Sequence, residues 1–110
     1  MPSSLRRLTL AEEHLLERLI HQVELPLPST WKQELLACPM ADGGMGSLLL
    51  CPHGAVDPAR RFGQEVSQWQ FTDEDGVEVL ASLNLDTNGE LFELDVWKTD
   101  FNPLIRFPKA

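Results

Sequence analysis

Leu15, Leu16, Leu19, Ile20 and Val23 recur at three- and four-residue intervals, while Glu12, Glu13, Glu17 and Arg18 fall largely off that stripe. Such spacing gathers the apolar side chains on one face of an α-helix. Thr9 supplies an N-cap and Glu12, three residues on, completes a capping box, so a helix is predicted from Leu10 to about Val23. Pro26 and Pro28 cannot continue it, because proline has no amide hydrogen and clashes with the preceding turn. A short second helix is predicted over Ser29 to Leu36, capped by Ser29 or Thr30, with Trp31, Leu35 and Leu36 facing inward and Pro39 closing the segment.

From Gln64 onward the period falls to two. Glu65, Ser67, Trp69 and Phe71 alternate with Val66, Gln68 and Gln70; Val77, Val79, Ala81, Leu83 and Leu85 alternate with Glu78, Leu80, Ser82, Asn84 and Asp86; and Phe92, Leu94 and Val96 alternate with Leu91, Glu93, Asp95 and Trp97. Alternation of this kind describes strands with one buried face. Asp73-Glu74-Asp75-Gly76 and Asp86-Thr87-Asn88-Gly89 are turn sequences, so residues 65–72, 77–85 and 90–97 form a meander. Upstream, Gly43, Gly44 and Gly46 mark a hairpin with arms near 36–41 and 45–51. Centred between Gly44 and Met45, that hairpin sets Cys38 opposite Cys51. Residues 52–63, with two prolines and two glycines, read as a surface excursion. The fold class is therefore α+β: an N-terminal helix, with a short second helix, packed on an antiparallel meander of about four to five strands in one domain spanning 1–110.

Composition narrows the function classes. A hydrophobic fraction of 43% excludes a disordered chain. The longest apolar run is Leu48-Leu49-Leu50-Cys51, too short to cross a bilayer. The basic start at Arg6 and Arg7 is not followed by an apolar h-region, so a cytoplasmic location is expected. Two cysteines are too few for a disulfide scaffold and are expected as free thiols. The formal net charge of −8 argues against binding nucleic acid or anionic membrane and suits a basic protein partner.

No constellation for catalysis is apparent. Cys38, Cys51 and His53 lack a CxxC pair and a fourth ligand, so neither metal nor cofactor is expected. Ser47 is not set in a Gly-x-Ser-x-Gly elbow, and the glycine-rich turn lacks the Lys-Ser/Thr of a phosphate-binding loop. Acidic residues are the remaining candidates. Between Asp73 and Asp100, nine carboxylates at 73, 74, 75, 78, 86, 90, 93, 95 and 100 accompany one basic residue, Lys98. Glu93 and Asp95 lie on the same side of one strand, about 7 Å apart, with Leu91 and Trp97 on the same nominal face. An acidic and aromatic strand face is the composition of a protein-binding patch.

Asp42-Gly43-Gly44-Met45-Gly46-Ser47-Leu48, Leu83-Asn84-Leu85-Asp86, and the run from Gly89 to Leu104 (GELFELDVWKTDFNPL) resemble a family of small bacterial proteins of unknown function, whose members also open on a Leu-Thr-x-x-Glu helix, here Leu8 to Glu12. The resemblance covers nearly the whole chain and implies no catalytic residues. Size, acidity and architecture are similar to those of immunity proteins that accompany secreted interbacterial toxins.

The expected function is accordingly non-enzymatic protein binding, as an immunity protein that neutralises a cognate toxin, a nuclease being one candidate. The residues expected to contact the partner are Glu93, Asp95, Trp97, Asp86 and Glu78. The alternatives are a small enzyme or metal-dependent domain using the acidic strand face, and a homodimeric regulatory or adaptor protein. The chain itself is expected as a monomer or a homodimer.

Overall fold

Thr9 caps the first helix as its sequence requires. Its Oγ1 accepts a hydrogen bond from the Glu12 amide at 3.2 Å, and Glu12 Oε1 accepts one from the Thr9 amide at 2.9 Å. The helix, α1, spans Leu10–Gln22. Arg6 grips the same carboxylate with two bonds, at 2.8 and 2.9 Å. Burial opposes ionisation of Glu12, but the Arg6 and Thr9 hydrogen bonds outweigh it and hold the carboxyl below its usual range. The computed structural model describes residues 5–108.

Arg6–Arg7 forms a two-residue strand, β1. After α1 comes a single turn, α2, at Trp31–Glu34, shorter than the helix expected over 29–36 because Leu36 already pairs in the sheet. The remaining strands are β2 (Leu36–Pro39), β3 (Leu48–Cys51), β4 (Phe62–Thr72), β5 (Glu78–Asp86) and β6 (Leu91–Lys98). All pairings are antiparallel, in the order β1-β2-β3-β6-β5-β4. The sheet thus has six strands rather than four to five. The additional one, β1, is too short to show any periodicity.

One face of the sheet carries the core. Leu15, Leu16, Leu19 and Ile20 of α1 pack toward Val79, Ala81 and Leu83 of β5 and Leu94 and Val96 of β6, all buried. Val23, expected on the same stripe, is exposed because it follows the last helical turn.

Two registers differ from expectation. Cys38 faces Leu49, and Cys51 faces Leu36, so the thiols are not opposite one another, and both are free. The Asp42 carboxylate accepts the Met45 and Ser47 amides, and the Met40 amide bonds the Ser47 carbonyl. The loop therefore centres between Gly43 and Gly44, one residue earlier than expected, which slides the pairing by two. In β6, Glu93 pairs with Asn84 but Leu91 pairs with Leu85, leaving Phe92 as an extra residue. This bulge turns Leu91 into the core instead of onto the acidic face.

The segment after β6 is strapped back onto the sheet. Asp73 accepts hydrogen bonds from the Ile105 and Arg106 amides at 2.8 and 3.1 Å, and the Leu104 amide bonds the Gly44 carbonyl at 3.0 Å. Gly46, at φ +105°, lets this strap close: a Cβ there would lie 3.2 Å from the Phe107 ring.

Candidate protein-binding face

Because side chains alternate along a strand, burying Val79, Ala81 and Leu83 against α1 places Glu78, Leu80, Ser82 and Asn84 on the opposite face. The register then sets Leu80 beside Trp97, Ser82 beside Asp95 and Asn84 beside Glu93. Gln68 and Gln70 of β4 extend the same face beside Ser82 and Leu80. Four of the five residues expected to contact a partner, Glu78, Glu93, Asp95 and Trp97, are thus brought onto one surface.

Asn84 organises the two central carboxylates. It is only 4% exposed, and its Nδ2 donates to Asp95 Oδ2 at 3.0 Å and to Glu93 Oε1 at 3.3 Å. One amide therefore holds two like charges side by side. A neutral bridge leaves their summed negative charge undiminished toward solvent.

At the other end of the face, Trp97 is 45% exposed and Phe101 68% exposed, with ring centroids 6.0 Å apart and planes inclined at 57°. Phe101 has φ +64°, a left-handed conformation that an L-residue adopts at a steric cost. Its amide bonds the Lys98 carbonyl at 2.8 Å, and the Thr99 amide bonds the Glu78 carbonyl at 3.0 Å, closing the turn that holds the ring outward. Sequence periodicity did not single out Phe101, since it lies beyond the last strand. Asn84 was likewise missed, because its role exists only once β5 and β6 are in register.

Asp86 is corrected. Its side chain is 1% exposed and accepts hydrogen bonds from Arg60 Nε at 2.9 Å and from the Asn88 and Glu90 amides at 2.9 and 3.0 Å. Burial opposes its ionisation, but the Glu90 amide and Arg60 outweigh that and lower its pKa. It braces the β5–β6 turn and offers nothing to a partner.

The buried cation is the second surprise. Lys98, counted from sequence as the basic residue of the acidic segment, points into the core face and is 1% exposed. Its Nζ lies 2.9 Å from Asp73 and 2.7 Å from Asp75. Glu74 pairs with Arg106 and Glu90 with His53. Of the nine carboxylates, Glu78, Glu93, Asp95 and Asp100 are left outside these contacts. No other Lys or Arg lies on β4, β5 or β6, so these strands put no cation on the open face.

Among the described residues, no group of three or more His, Cys, Asp or Glu side chains is placed to hold a metal ion, and no helix is long and apolar enough to cross a membrane. No curated protein and no solved structure matches the chain. Residues 5–108 match the model of the family described as a domain of unknown function, DUF6984, and the chain belongs to that family.

Proposed function

We propose that this is a non-enzymatic protein-binding domain, and specifically an immunity protein that neutralises a cognate toxin by covering a basic surface of that toxin with the open sheet face. The observation that carries the reading is the pairing of an exposed Trp97–Phe101 knuckle with carboxylates on the part of the face formed by β4, β5 and β6, strands that put no cation there. Aromatic anchors beside acids divide the work of recognition. The rings exclude water and slow dissociation, while the charges steer the encounter. A toxin nuclease fits this surface best, since holding a polyanion demands a basic one.

The test uses the protein encoded beside this chain. Co-expression with this chain should protect cells from that protein, and purified partners should bind. Trp97→Ala with Phe101→Ala should raise the dissociation rate, by about 2 kcal/mol or more in affinity if the knuckle is a hot spot. Glu93→Lys with Asp95→Lys should slow association and flatten its salt dependence. Well-folded variants of both kinds that protect and bind like the parent would refute the proposal.

A further inference from the structure

A cleft of about 280 Å³ lies at the β5–β6 turn, at the opposite end of β6 from Trp97. Its floor and walls are apolar: Leu35 and Leu91 are buried, Leu27 and Trp31 half-buried, and Pro26, Pro28 and Pro52 close the sides. Its rim carries Glu34, Glu90 and His53, and among the described residues no Lys or Arg lines it. Lys32 lies 5.8 Å above the Trp31 ring but is bound to Glu17 at 2.8 Å, and Arg60 is held by Asp86.

The rim already accepts a nitrogen donor from the chain itself. His53 Nε2 lies 2.6 Å from Glu90 Oε2, although the His53 side chain is 76% exposed and, among the described residues, hydrogen-bonds nothing else. The imidazole is therefore free to swing away. The main chain beneath Glu90 is held at the mouth of the cleft, because its amide donates to the buried Asp86 carboxylate at 3.0 Å. A carboxylate at the mouth of an apolar, tryptophan-lined cleft, plugged by a displaceable nitrogen, is complementary to a cation that carries a hydrophobic body. An anion would be repelled by the rim, and a neutral ligand would gain no charge pairing with it.

We propose that this cleft binds a small organic ammonium ion with an aryl or alkyl body, its nitrogen replacing His53 at Glu90 and its apolar part resting on Trp31, Leu35 and Leu91. This site is independent of the docking face, and either can fail without the other.

Phenethylamine is the probe, with 2-phenylethanol and phenylacetate as the neutral and anionic counterparts, followed by amide NMR titration of the whole chain. Saturable shifts at Trp31, Gly89 and Leu91 are expected with phenethylamine, at a dissociation constant near about 1 mM. Glu90→Gln should weaken the amine about threefold, the size of an exposed ion pair. His53→Ala should strengthen it about as much, because the internal competitor is gone. Neither side chain contributes to the core, so both variants should keep the parent spectrum outside the cleft. The proposal is overturned if phenethylamine gives no saturable shift, if the alcohol or the acid binds as well as the amine, if Glu90→Gln has no effect, or if His53→Ala weakens binding.

Discussion

Replacing Asp86 by alanine should unfold the protein far more easily than replacing any of the exposed carboxylates. The carboxylate satisfies three donors at once, Arg60 Nε and the amides of Asn88 and Glu90. Arg60 is itself largely buried, its other nitrogens bonding the Leu50 and Leu91 carbonyls while its guanidinium lies 4.9 Å from the centre of the Phe92 ring. Removing the anion strands a cation that cannot reach water without abandoning those contacts. Breaking one side of such a pair costs roughly 3–5 kcal/mol. The two amides add about 1 kcal/mol or less, since the turn is open to solvent. Urea unfolding followed by tryptophan fluorescence should therefore show a loss of about 3–5 kcal/mol for Asp86→Ala. Arg60→Met in the Asp86→Ala background should be partly compensating, with a coupling energy of about 2 kcal/mol between the two sites. A loss below about 1 kcal/mol, or strict additivity, would refute the assignment of Asp86 as a brace.

Three further outcomes follow from the packing. Leu83→Ala or Leu94→Ala, facing each other across β5 and β6 in the core, should each cost about 2–5 kcal/mol in the same assay, and the pair should not add. Gly63→Ala should destabilise by about 1–3 kcal/mol, because a Cβ there would run into the Asp86 carbonyl; an unchanged unfolding midpoint would show that β4 can shift aside. Burial alone would raise the pKa of Asp73, but hydrogen bonds from the Ile105 amide, Lys98 and the Glu74 and Arg106 amides lower it from 3.8 to about 2. A depressed folded-state value means that this contribution is complete above pH 3.8 and is lost as pH falls toward about 2. Acid titration of stability should show that loss, and Asp73→Asn should remove this component of it.

The first helix was legible from sequence because both of its signals are local. A capping box needs only four adjacent residues, and the Leu15 to Ile20 stripe needs only the geometry of one helix. The three long strands were legible for the same reason: period-two alternation from Val79 to Leu85 survives wherever the strand is placed. Membership of a family of unknown function was also open to a reader of the sequence, and the family model that matches residues 5–108 agrees with it. Tertiary structure decided what periodicity cannot encode. A single extra residue at Phe92 reversed the face of Leu91, and a one-residue displacement of the Gly43–Gly44 turn separated Cys38 from Cys51. The charges show the same division. Sequence established that acids crowd the C-terminal half, but whether each one is a surface charge or a buried brace depends on partners far along the chain. Arg60 lies 26 residues from Asp86, and Lys98 meets Asp75 across 23 residues. Only the folded sheet brings those partners together, because a buried carboxylate stays ionised only where the fold supplies cations or amide donors against it.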